Sequence, residues 1–134
     1  LSPITPVPLP AGALPQVEIV TASLGSGGAL LEGLENKVAG LVVAAFGVGH
    51  VPASWCSRLE ALASAMPVVL ASRIGTGRVL TSTYGFPGSE SDLLARGLIG
   101  AGALDPYKAR LLLAAHLAAG TPRPEIAKAF LDNS

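Results

Sequence analysis

Along this chain short apolar runs alternate with amphipathic stretches, and glycine or proline separates them. Val17-Glu18-Ile19-Val20-Thr21 is rich in β-branched residues and predicts a strand. Gly40-Leu41-Val42-Val43-Ala44-Ala45-Phe46 is apolar without a break, the pattern of a strand buried on both faces of a parallel sheet. Met66-Pro67-Val68-Val69-Leu70-Ala71 predicts a third strand, and Arg78-Val79-Leu80-Thr81 a short fourth. Between these runs the spacing changes. Ala29–Lys37 carries Leu30, Leu31 and Leu34 at helical positions. The stretch opened by Pro52 sets Trp55, Leu59, Leu62 and Ala63 on one helical face.

Capping signals place the remaining helices. Ser89-Glu90-Ser91-Asp92 reads as an N-cap serine with an acid at the third helical position, and Gly97 closes that short helix. Asp105-Pro106 is a second start, for an apolar helix over Tyr107–Ala119 that ends at Gly120. Arg123–Leu131 is a last helix with Pro124 in its first turn. Strand-helix alternation predicts an α/β fold: three layers, a small parallel sheet of about four strands flanked by helices, Rossmann-like. Five of the eleven prolines fall in Leu1–Pro15, so residues 1–16 read as a proline-rich linker or arm, and 17–134 as the domain. The chain starts at Leu1, which suggests a piece of something longer.

Composition narrows the function. Nine basic residues balance nine acidic ones, so no basic excess is available to displace phosphate counterions, and nucleic acid is not expected as a partner. The long uncharged run Val38–Ser57 holds three glycines, a proline and a histidine and reads as strand, turn and helix start, so no membrane partner is expected either. Half of the chain is apolar and only 13% is charged, which leaves an apolar exterior suited to another domain or copy. One cysteine, Cys56, forms no internal disulfide, and a cytoplasmic location is expected.

Chemistry is sparse. Gly25-Ser26-Gly27-Gly28, Gly47-Val48-Gly49-His50 and Gly75-Thr76-Gly77 fall after predicted strands, where open α/β sheets bind ligands. Leu30 and Pro52 hold the places of a third glycine, and no Lys-Ser/Thr follows, so no nucleotide or other cofactor is expected. The two histidines and one cysteine lack metal-ligand spacing, so no metal is expected. His116 reads as a core or interface histidine and Cys56 as a packing residue. No Gly-x-Ser-x-Gly elbow occurs. Glu90 is the carboxylate of interest, although position alone favours a dipole-compensating surface acid.

Three segments resemble bacterial-type L-asparaginases, in order and at suitable spacing. They are the run Gly40–Pro52, then Pro67–Arg73 with Gly75-Thr76-Gly77, then Gly102-Ala103-Leu104-Asp105-Pro106-Tyr107-Lys108-Ala109-Arg110-Leu111-Leu112, which matches a G-x-L-x-P-x-K-A-R-x-L-L helix start. The resemblance covers the family's smaller, C-terminal domain. It implies hydrolysis of L-asparagine to L-aspartate and ammonia by a larger assembly. In that family an N-terminal domain carries the nucleophilic threonine and the Thr-Lys-Asp group that activates it. The isolated 134-residue chain, without catalytic residues of its own, is therefore expected to be inactive.

The resemblance also implies partners: the asparaginase N-terminal domain, L-asparagine, and further copies in a homo-oligomer. The family's C-terminal domain lends a polar residue after the Gly-x-Gly turn and a glutamate before the G-x-L-x-P helix to a neighbouring subunit's site. His50 and Glu90 stand at those places as expected substrate-binding residues, with His50 where Asn is commoner. A carboxylate there would pair with the substrate's α-ammonium group. Two alternatives stand beside this reading. One is a non-catalytic ligand-binding or oligomerisation module. The other is part of a glutamyl-tRNA amidotransferase subunit, which would need an RNA-facing basic surface.

Overall fold

A computed structural model describes residues 5–8, 11–47, 49–74 and 86–132. Among these residues four parallel strands form one sheet: β1 (Val17–Thr21), β2 (Gly40–Ala45), β3 (Val68–Ser72) and β4 (Ile99–Gly100), side by side in that order. Val17 pairs with Gly40, Leu41 with Val68, and Val69 with Ile99. Among the described residues four α-helices cover the sheet: α1 (Cys56–Ala65), α2 (Glu90–Ala95), α3 (Pro106–Ala118) and α4 (Arg123–Leu131). This is the α/β sheet-and-helix arrangement that the hydrophobic pattern predicts.

Alternation along the strands builds two cores. Leu41, Val43, Ala45, Val68 and Leu70 face one way and bury Trp55, Leu59, Leu62 and Ala63 from the α1 side and Leu93 from α2. Val42, Val69 and Ala71 face the other way and meet Ala109, Leu112 and Leu113 of α3 with Ile126 and Phe130 of α4. A period of two sends neighbouring side chains to opposite faces, so an uninterrupted apolar run is what a strand between two cores requires. Each fully buried large apolar side chain contributes on the order of 2 kcal/mol. Gly40 lets α3 lie close: a Cβ there would meet Leu113 Cδ2 at 2.9 Å.

The few charged groups work as ties. Arg110 Nε donates to the Val17 carbonyl at 2.7 Å, fastening α3 to β1. Arg123 Nη2 reaches the carbonyls of Ala63, in the last turn of α1, and of Met66, just after it. Among the described residues no buried side-chain nitrogen or oxygen lacks a hydrogen-bond partner. None of their helices is long and apolar enough to cross a membrane.

Two expectations differ from the structure. Ala29–Lys37 is not one helix but two 3₁₀ turns, Ala29–Leu31 and Leu34–Asn36. Gly33 stands between them at φ +70°, a left-handed conformation that stops helical propagation. Only Leu31 of its three leucines is fully buried; Leu34 packs at the edge and Leu30 is exposed. The fourth strand seen is Ile99–Gly100, while the one predicted over Arg78–Thr81 lies outside the described residues. In the N-terminal arm, Thr5–Pro8 and Ala11–Gln16 form no helix or strand, and Val7 packs against the α3–α4 core.

Candidate functional site

Beyond the carboxyl end of β2 the chain turns back on itself. The Phe46 N–H donates to the His50 carbonyl at 2.7 Å, and the His50 N–H to the Phe46 carbonyl at 2.9 Å. Gly47 and Gly49 take positive φ values of 42° and 117° to make the turn. The two bonds close a five-residue loop and fix the Cα from which the His50 ring projects.

A second segment is laid against this loop. The Val51 N–H donates to the Gly88 carbonyl at 2.9 Å. Gly88 has φ +86°, and a Cβ on it would come within 2.4 Å of the Val51 carbonyl oxygen, so only glycine lets the backbones approach this closely. The Gly88 N–H donates to Asp92 Oδ2 at 2.9 Å, and the Ser89 hydroxyl accepts from the Asp92 N–H at 3.3 Å. These bonds set the start of α2 and the position of its first residue, Glu90.

The consequence is a contact between residues forty positions apart. His50 Nε2 lies 2.8 Å from Glu90 Oε2. The Glu90 side chain is fully buried, and that of His50 is 23% exposed. Phe86, half exposed, sets its ring edge-on to His50, with centroids 4.9 Å apart and planes at 78°. The sequence expectation of a surface acid at Glu90 is therefore corrected. The Gly88–Val51 approach draws the start of α2 into the protein, and a buried carboxylate needs donors such as the one His50 offers.

At the end of β2, Arg73 follows β3. Its N–H donates to the Ala45 carbonyl, its Nη1 to the Ala22 carbonyl at 3.2 Å, and its guanidinium lies 4.7 Å from the centre of the Phe46 ring. Behind Glu90, burial works to raise the Asp92 carboxyl, but the Gly88 N–H, the Arg96 guanidinium and the Cys56 thiol together hold it below its ordinary value. Burial pushes the Cys56 thiol up, and the neighbouring Asp92 pushes it further, so this cysteine is a weak nucleophile. It packs and donates to Asp92, as its expected structural role requires.

His116 is partly buried on α3, with Nδ1 3.0 Å from the Thr121 hydroxyl, and burial lowers its pKa. It lines a cavity of about 460 Å³ between the arm at Thr5–Pro8 and helices α3 and α4, apart from the His50–Glu90 pair. Among the described residues no group of three or more His, Cys, Asp or Glu is placed to hold a metal ion.

The family resemblance assigns His50 and Glu90 to one site, and the structure sets their side chains in contact. Sequence reasoning passed over Phe46 and Gly88, which build the site. The glycine-aromatic-proline stretch before Ser89 was the visible signal for Phe86 and Gly88, but no pattern linked it to the loop at His50.

Comparison with known proteins bears on the family of the chain. A family model of the glutaminase/asparaginase C-terminal domain matches residues 16–130. A "Probable L-asparaginase" of Deinococcus radiodurans is 37% identical over 115 residues, which are 86% of this chain and 35% of that protein. An "L-asparaginase" of Bacillus licheniformis is 36% identical over 107 residues, 78% of this chain and 33% of that protein. The chain thus spans about a third of the length of each of these relatives.

Proposed function

This chain belongs to the glutaminase/asparaginase C-terminal domain family, and from that premise we propose that it is the C-terminal domain of an L-asparaginase, with Glu90 and His50 as its substrate-binding residues. In this reading residues 1–16 are the arm leading from a larger N-terminal domain, and 17–134 are the domain itself. The N-terminal domain supplies the nucleophilic threonine, and the 134-residue chain alone releases no ammonia from asparagine. Glu90 receives the α-ammonium group of L-asparagine in a charge-assisted hydrogen bond, which orients the side-chain amide toward the nucleophile.

The observation that carries the reading is the full burial of a carboxylate in the loop cluster beyond β2, the end of an open α/β sheet where ligands bind. A homo-oligomer completes the reading. Leu24, Leu30 and Tyr107 stand exposed on a chain with little charge to oppose association. We assign the enzyme to the cytoplasm, where a lone thiol such as Cys56 stays reduced.

The test is Glu90→Gln in the full-length enzyme, which keeps the shape and removes the charge. Loss of a charged hydrogen-bond partner is worth about 1.5–3 kcal/mol, so kcat/KM for asparagine should fall roughly ten- to a hundredfold. A value within twofold of the parent would make Glu90 a structural acid only.

A further inference from the structure

Resting on the reading of residues 1–16 as an arm from an N-terminal domain, we propose that Thr5–Pro8 is a strap, docked through Val7 in the groove between α3 and α4, which shortens the tether of that domain. Thr5, Pro6 and Pro8 are exposed, while Val7 is partly buried and packs against the α3–α4 core. Each proline fixes its own φ, and Pro6 and Pro8 bias Thr5 and Val7 before them toward extended backbone. The segment is therefore stiff before it docks, and little conformational entropy opposes the seating of Val7. Proline-rich segments bind apolar grooves by the same physics, here within one chain.

The groove has the form such a segment needs. Leu112 and His116 stand one turn apart on α3, Ala129 comes from α4, and with the arm they line the cavity of about 460 Å³. The strap leaves that space open, so its docking rests on Val7 and is releasable. Both helices lie on the sheet face opposite α1 and α2, which separates the groove from Glu90. With Val7 rather than Val17 as the fixed point, a preceding domain loses ten residues of tether, roughly 33 Å of extended chain. A shorter tether raises the effective concentration of one domain at the other.

Docking is read first in the 134-residue chain, where methyl NMR should show cross-peaks from Val7 to Leu112 and Ala129. Val7→Asp should remove them and shift the His116 resonances, leaving those of β2 and β3 in place. A half-buried valine is worth about fivefold in a docking equilibrium, and a charge in its place opposes docking further. Val7→Ile should keep the cross-peaks, since the cavity has room for one more methylene. In the full-length enzyme, Val7→Asp should widen the interdomain distances seen by X-ray scattering and lower kcat/KM for asparagine about three- to fivefold. Val7→Ile should match the parent in both.

Absence of the Val7 cross-peaks in the parent chain would overturn the docking, with no variant needed. Cross-peaks lost in Val7→Asp while the scattering of the full-length enzyme stays as in the parent would overturn the tether role. None of these results depends on Glu90. If Glu90→Gln leaves the kinetics untouched, the substrate-binding reading falls, and the strap still stands or falls by its cross-peaks and by scattering.

Discussion

Helix α2 starts at Ser89, whose hydroxyl accepts from the Asp92 N–H, and α3 starts at Asp105, whose carboxylate accepts from the Lys108 N–H at 2.8 Å. The two starts use the same local device, a short polar side chain that satisfies an N–H three residues on. Their settings differ. At α3 the residues after Asp105 and Pro106 are Tyr107 and Lys108, both exposed, and the cap marks where a helix begins. At α2 Ser89 and Glu90 are fully buried, and a loop from forty positions upstream lies across them. The same capping device thus serves as punctuation in one place and as the floor of a candidate site in the other. The difference lies in what packs on top.

That contrast can be broken most forcefully at the entry to α2. Gly88→Ala places a methyl against the Val51 carbonyl oxygen in a left-handed backbone. Strain and overpacking together should cost about 3 kcal/mol, read by chemical denaturation. The control is Gly120→Ala beyond α3, also at positive φ but facing open space, which should cost only about 1 kcal/mol. Equal losses at the two glycines would mean that the Val51–Gly88 approach is unimportant.

The caps give a smaller and sharper comparison. Asp105→Ala should cost about 1 kcal/mol, the usual loss of an N-cap at an accessible helix end. Ser89→Ala should cost about 2 kcal/mol, at the upper end of that range, because the N–H it leaves lies in a part-buried setting without ready access to water. If Asp105→Ala proves the more costly of the two, the α2 start is not the more integrated one.

The smallest effect is expected from acid. The Asp92 carboxyl titrates below its ordinary value in the folded state, so the folded chain holds fewer protons than the unfolded one over that interval. The stability from Asp92 is present above about pH 4 and is lost as pH falls through the lower folded value. Melting temperature followed from pH 6 to pH 3 should fall less steeply in Asp92→Asn than in the parent. Parallel slopes would show that Asp92 gains nothing from Gly88 and Arg96.

Much of the fold was legible because it depends on local periods. Val17–Thr21 and Gly40–Ala45 are strands as their β-branched and apolar runs predict, and Arg123–Leu131 is the predicted helix. Illegible were features too short to carry a period. Ile99–Gly100 is a strand because β3 offers a free edge, which two residues cannot announce. Leu30, Leu31 and Leu34 have helical spacing, but Gly33 in a left-handed conformation overrides it.

The candidate site divides in the same way. From the sequence come Glu90 at a capped helix start and His50 after a glycine turn, along with the family whose C-terminal domain this chain is. Patterning acts over a few residues, so the sequence by itself determines the layered α/β plan, the capped starts of α2 and α3, and the chemical types available. It does not determine that Glu90 is buried, that its carboxylate meets His50, or that Phe86 lies against the ring. Those contacts join segments about forty residues apart, and they exist because Gly88 and Val51 can bring two backbones together. Burial of a charge is a property of the packed whole, since it depends on which surfaces exclude water from it, and only the tertiary structure decides that.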